Sequence, residues 1–216
     1  SFFYLALLLR RRPRYIPTPN NGSRISVLIP CHNEEGVIGD TLASLLASQG
    51  VDMEVVVVDD ASTDDTRALA EKFPVTVIKK ENGGRGKALV LNHGVRFTSN
   101  DLIAVFDADS RPAQDALADL VSLLHNSGAP AACGAVKIRN WDESWVTRQV
   151  SLEFALANYL QWKKSGSRYF SPFLPGTLMI VRREHFPIPT GYTEDADLSA
   201  KLLTNGHSVL MTKDAV

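Results

Sequence analysis

The sequence predicts an α/β protein with a mostly parallel central sheet flanked by helices. From Arg24 onward, short β-branched apolar runs alternate with amphipathic segments, the pattern of strand–helix–strand crossovers. Acidic residues also follow these runs: Glu34 and Glu35, Asp59 and Asp60, Asp107 and Asp109. Ligands of open α/β sheets bind beyond the carboxyl ends of the strands. Any one acidic pair reads as a solvated turn, but acids after several strands of one sheet mark its edge as the candidate site.

Composition sets the frame. The chain has 216 residues, a net charge of -1, 44% hydrophobic and 22% charged residues. That suits one sizeable core, and the near-neutral charge gives no basis for a nucleic-acid partner. Cys31 and Cys133 lie far apart in apolar contexts. They read as buried, reduced thiols rather than a metal pair or a disulfide framework.

The elements follow in order. Ile25 to Pro30 is a strand stopped by proline, and Val37 to Ser48 a helix with Val37, Ile38, Leu42, Leu45 and Leu46 on one face. Met53 to Asp60 is a continuous apolar run that suits a strand buried on both faces. Ser62 to Thr66 supplies a cap and first-turn acids for a helix running to Phe73. Val75 to Lys79 is a strand, and a Gly-rich loop leads into a helix over Lys87 to Phe97. Leu102 to Phe106 is the next strand, Pro112 opens a helix to Asn126, and Ala131 to Ile138 is a strand. Trp145 to Trp162 is a long amphipathic helix, Gly176 to Arg183 a strand, and Asp195 to Asn205 a helix ending at Gly206. Trp141, Trp145 and Trp162 suit sugar stacking, a membrane interface or a core, with core or interface expected for at least two of them.

The first residues differ from the rest. Ser1 to Leu9 is apolar and Arg10 to Arg14 is arginine-rich. The segment is shorter than the roughly 20 residues a bilayer requires. It reads as the tail of a transmembrane helix whose basic flank places the following domain on the cytoplasmic side. Residues 1–23 thus read as an apolar and basic segment with a linker, and 24–216 as one domain.

Asp107-Ala108-Asp109 closes a buried strand with two like charges. Carboxylate oxygens on such a turn suit Mg²⁺ or Mn²⁺ and leave coordination positions for phosphates. No G-x-G-x-x-G follows the first strand. Gly86-Lys87 is followed by Ala88 where a P-loop needs Ser or Thr, so dinucleotide and P-loop readings both fail. Lys87 at a helix start, after glycines, is placed to meet a diphosphate.

The ordered motifs VLIPCHNEE, VVVVDDASTDDT, NGGRGKALVLNHG, FDADS and GYTEDADLSAKL resemble family 2 glycosyltransferases of the GT-A fold. The likeness is greatest to membrane-bound processive synthases of cellulose, chitin, hyaluronan and poly-N-acetylglucosamine. It implies that Asp60, beside Asp59, accepts a hydrogen bond from uracil, with Pro30, Asn33 and Glu34 lining the nucleotide pocket. It further implies that Lys87 meets the diphosphate, Asp107 lies near the ribose, and Asp109 holds the metal with Asp107. Asp195 resembles the general base, with Glu194 and Asp197 beside it as competing acids. Phe173, Gly176 and Thr177 fall in FLPGT, where these synthases hold the acceptor.

The resemblance implies an inverting, metal-dependent transfer from a UDP-sugar, UDP-N-acetylglucosamine or UDP-glucose, to a growing β-linked polysaccharide. Alternatives are transfer to a lipid-linked acceptor and a nucleotide-binding module without catalysis. A sugar-nucleotide pyrophosphorylase is disfavoured, because PCHNEEG is not the Gly-rich basic signature such an enzyme carries after its first strand. The family's later Gln-x-x-Arg-Trp segment has no match. The expectation is therefore a catalytic-domain fragment of a polytopic membrane protein, with its membrane contact through the N-terminal or missing helices.

Overall fold

Strand β1, Arg24–Cys31, alternates its side chains between two apolar layers, and this alternation organises the molecule. Ile25, Val27 and Ile29 enter one layer, and Leu28 enters the other. The computed structural model describes residues 23–81, 83, 86–165, 172–191 and 193–213. The apolar and basic segment, most of its linker, and Asn82, Gly84, Arg85 and Tyr192 of the quoted motifs lie outside the described residues.

The remaining strands are β2 (Asp52–Asp59), β3 (Thr76–Lys79), β4 (Leu102–Val105), β5 (Ala131–Cys133), β6 (Met179–Arg182) and β7 (Leu210–Met211). The helices are α1 (Ile38–Leu46), α2 (Thr66–Ala70), α3 (Lys87–Gly94), α4 (Ala116–Ser127), α5 (Trp145–Lys164) and α6 (Glu194–Thr204). A 3₁₀ turn, Val95–Phe97, continues α3. They build one seven-stranded sheet of order β3-β2-β1-β4-β6-β5-β7. Strands β3, β2, β1 and β4 are parallel, and β6 runs antiparallel between β4 and β5. The mostly parallel α/β expectation holds.

Ile38, Leu42 and Leu45 of α1 and Leu117, Leu120 and Leu124 of α4 cover one face. Leu91 of α3 and Leu198 and Leu202 of α6 cover the other. Helix α3 lies so close to the sheet that a Cβ on Gly94 would come within 2.6 Å of Val58 Cγ2. Only glycine permits that approach.

Several expectations need correction. The strand expected over Ala131 to Ile138 ends at Cys133, and the Val136 carbonyl instead accepts from Asn158 Nδ2 of α5 at 2.8 Å. The helix after Pro112 starts only at Ala116, and β7 had no counterpart in the sequence reading. Helix α5 buries none of its residues. Trp141 and Trp145 are 53% and 74% exposed, so neither fills a core, and only Trp162 packs against one. The helix starts from a reciprocal cap, in which Ser144 Oγ accepts from Thr147 N and Thr147 Oγ1 from Ser144 N.

The reading as a membrane protein with a cytoplasmic-face domain is also corrected. Among the described residues, no helix is long and apolar enough to cross a membrane. The longest, α5, carries Arg148, Glu153, Lys163 and Lys164 along its length.

Both cysteines are buried and free, as expected. Burial, with Asp59 and neighbouring acids adding to it at Cys31, pushes each thiol up to about 12. At pH 8 such a thiol is thiolate to only about one part in 10⁴. The folded chain is therefore expected to resist a maleimide at pH 8 and to label at both positions in denaturant. Rapid labelling of the native chain would contradict this burial. The raised values favour the fold below the ordinary thiol range, and that contribution is lost as pH rises towards 12.

Candidate active site

The loop after β1 and the loop after β2 are laced together, because β1 and β2 pair in register through Cys31 and Asp59. Asn33 N donates to Ser62 Oγ at 3.0 Å, and Asn33 Oδ1 accepts from Thr63 N at 2.8 Å. Glu34 N donates to Thr66 Oγ1 at 2.7 Å, and Glu35 Oε2 accepts from Asp65 N at 3.0 Å. Asn33 takes φ 56, a left-handed conformation that asparagine tolerates. The carboxamide of Asn33 thus shapes the loop edge. Asp59 does the same from within: it is buried, and its Oδ1 accepts from Ser62 N at 3.0 Å. Pro30 sits half-buried at the end of β1.

Asp60 stands at the next position, with its backbone N donating to Cys31 O at 2.9 Å. His32 Nδ1 donates to the Asp60 carbonyl at 2.8 Å. Lys80, just past β3, places Nζ 2.6 Å from Asp60 Oδ1. Lys80 lies outside the motifs quoted above. Its only signal was its place at the end of a strand.

The second half of the site forms because β6 is antiparallel to β4. The pairing of Val105 with Met179 brings the residues before β6 alongside those after β4. Asp107 N accordingly donates to Thr177 Oγ1 at 3.1 Å, and Thr177 Oγ1 shares a hydrogen bond with Ser110 Oγ at 2.9 Å. Lys87, the first residue of α3, joins the pieces. Its Nζ donates to Asp107 Oδ1 and to the Gly176 carbonyl, the latter at 2.7 Å, and lies 3.8 Å from Glu194 Oε1.

Gly176 takes φ 73, and a Cβ there would lie 3.1 Å from Asp195 Oδ2 and 3.3 Å from Lys87 Nζ. Glycine therefore lets the chain pass between the ammonium and the carboxylate. Asp195 and Glu194 open α6, where the helix N-terminus favours acids. Ser199 Oγ donates to the Asp195 carbonyl at 2.7 Å and accepts from Leu174 N at 2.9 Å, tying the FLPGT segment to α6. Asp197 faces away toward Gly191, where a Cβ would come within 1.9 Å of its Oδ2. Phe173, the first residue of the FLPGT segment, is exposed.

The structure thus brings Lys87, Asp107, Gly176, Thr177, Glu194 and Asp195 together. Asp109 stands exposed at the rim. Burial, and then the negative charges of Asp109, Asp64 and Asp107, push Glu34 above its ordinary range, with His32 pulling the other way. These carboxylates repel one another across the edge. Among the described residues, no group of three or more His, Cys, Asp or Glu is arranged to hold a metal alone. Asp109, with Asp107, would hold a divalent cation, and diphosphate oxygens would complete its ligands.

The sheet order β3-β2-β1-β4 reverses direction between β1 and β4, the switch point beyond which ligands of open α/β sheets bind. This defines the chain as an open α/β protein with its polar cluster at that edge. Glycosyl transferase family 2 matches residues 26–186, and the chain belongs to that family. It is 29% identical over 218 residues to the probable glycosyltransferase YdaM of Bacillus subtilis, covering 93% of this chain and 51% of that protein. Over 122 residues it is 34% identical to poly-beta-1,6-N-acetyl-D-glucosamine synthase of Staphylococcus aureus, covering 54% of this chain and 29% of that one. The solved mannosyltransferase PcManGT of Pyrobaculum calidifontis, in complex with GDP-Man and Mn²⁺, superposes with a TM-score of 0.77 at 26% identity. That likeness covers 99% of this chain and 62% of PcManGT, and the fold is of the GT-A type. The chain spans about half the length of YdaM and less of the synthase.

Proposed function

We propose that residues 24–216 form the catalytic unit of an inverting glycosyltransferase. It uses a UDP-sugar, UDP-N-acetylglucosamine or UDP-glucose, and extends a β-linked polysaccharide. The observation that carries the reading is the meeting of Lys87, Asp107, Glu194 and Asp195 around Gly176. Such a cluster supplies a cation for a leaving diphosphate and a carboxylate for an incoming hydroxyl. The likeness to poly-beta-1,6-N-acetyl-D-glucosamine synthase supports the N-acetylglucosamine donor.

Asp195 takes the proton of the acceptor hydroxyl as its oxygen attacks the anomeric carbon. The bond from that carbon to the diphosphate oxygen breaks, and its electron pair leaves with the nucleotide. Attack from the opposite face converts an α-linked donor into a β-linkage. Lys87 offsets the charge gathering on the diphosphate. Phe173, Gly176 and Thr177 border the acceptor's side. Mg²⁺ or Mn²⁺ at Asp109 and Asp107 would supply further electrostatic stabilisation of the leaving group.

Thermal melting with UDP, GDP and TDP, each with and without Mn²⁺, tests the donor site. UDP with Mn²⁺ at about a hundredfold its Kd is expected to raise Tm by about 5–10 °C. Asp109→Asn is expected to remove the Mn²⁺-dependent part. A cooperatively melting chain that no nucleotide shifts would overturn the reading.

A further inference from the structure

We infer that Lys80 is a positioning residue for nucleobase recognition, aiming the Asp60 carboxylate at the ring N–H of a uracil-type base. The inference rests on the donor-site reading above and deepens it. Lys80 is set by the sheet itself. Its backbone N donates to the Asp59 carbonyl at 2.8 Å, one step beyond the pairing of Asp59 with Lys79. That step brings its ammonium 2.6 Å from Asp60 Oδ1, where the two side chains are 13% and 11% exposed.

The backbone of Asp60 is held from several sides. Cys31 and His32 bond its N and O, as described above. Behind it Ala61 turns at φ 59, and a Cβ on Gly83 would lie 2.8 Å from the Asp60 carbonyl oxygen. With the main chain fixed, the Lys80 ammonium bears directly on the direction of the Asp60 side chain. A shielded ion pair adds little to stability once desolvation is counted, so the part assigned to this one is orientation.

The position fits a base. Asp60 directly follows β2, which is separated from β4 by β1, so it stands about 10 Å from Asp107 across two strand spacings. A nucleoside spans such a gap, with its base at Asp60 and its diphosphate toward Lys87. A carboxylate accepts hydrogen bonds and donates none. Uracil offers it the N3–H, whereas cytosine offers a lone pair at the same atom and repels it. The two rings share a shape and carry the same diphosphate, so UDP against CDP isolates this contact.

Calorimetric titration of the whole chain with UDP and CDP in Mn²⁺ tests the inference. The set comprises wild type, Lys80→Met, Lys80→Arg, Asp60→Asn and the double variant Asp60→Asn/Lys80→Met. Wild type is expected to prefer UDP. Lys80→Met is expected to weaken UDP by about 10- to 100-fold while CDP changes by less than about 3-fold. Lys80→Arg should keep the preference. The double variant should match Asp60→Asn in its ratio of UDP to CDP affinity, because the base preference runs through the Asp60 carboxylate.

Equal losses for UDP and CDP in Lys80→Met would make Lys80 merely structural and overturn the inference. If Lys80→Met does not fold, the double variant decides, since it leaves neither charge unpaired. A ratio of UDP to CDP affinity unlike that of Asp60→Asn then sinks the idea. Wild type binding UDP and CDP alike would overturn base selection and leave the donor site standing. Wild type binding neither would overturn the donor site itself.

Discussion

Asp195→Asn is expected to keep donor binding and lose sugar transfer. The carboxylate stands beside Gly176 and near the Lys87 ammonium, at the start of α6. An amide there preserves shape but cannot take a proton. Loss of a general base costs about 10² to 10⁴ in rate, so kcat should fall by about a thousandfold. The Kd for UDP with Mn²⁺ should change by less than about threefold, because uniform binding is untouched. Glu194→Gln provides the contrast. Its carboxylate is 3.8 Å from Lys87 Nζ, so its loss should change donor binding more than it changes kcat. If Glu194→Gln abolishes turnover and Asp195→Asn does not, the two roles are exchanged.

Lys87→Met should damage both halves of the site at once. The ammonium bonds Asp107 and the Gly176 carbonyl and faces Glu194, so its removal leaves carboxylates from two different elements without their shared cation. Charge-assisted hydrogen bonds are worth about 1.5–3 kcal/mol, which corresponds to a loss of roughly 10- to 100-fold in UDP affinity. Uridine lacks the diphosphate, and its binding should change little. Titrations with UDP and uridine, wild type against variant, separate the outcomes. Equal losses for the two ligands would mean that Lys87 holds the fold of the site rather than the diphosphate. The affinity of wild type for UDP should also fall with added salt, as screening weakens the lysine–phosphate attraction.

Much of the fold was legible because its signals are local. The unbroken apolar run of β2 reports a strand buried on both faces, and it lies between β1 and β3. The leucine spacing of α1 reports a helix covering one face. Helix α5 was misjudged for an equally physical reason. Its aromatic and aliphatic residues suggest burial, but the described residues leave it without a buried face over its length. Trp145 is therefore exposed although its composition suits a core. The extent of β5 was also missed, since no pattern within Ala131–Ile138 reveals that a side chain from α5 takes the Val136 carbonyl.

The sequence by itself determined the parallel framework, the burial of the cysteines and the acids after strands β1, β2 and β4. Each depends on spacing within a few residues, which the chain displays directly. Only the tertiary structure decided that Lys87 joins Asp107 to Glu194, that Thr177 holds the turn after β4, and that Lys80 grips Asp60. Those contacts depend on β6 entering antiparallel beside β4 and on the stagger of β3 against β2. Strand direction and register arise from the packing of whole layers, so residues far apart in sequence meet only when the sheet is complete.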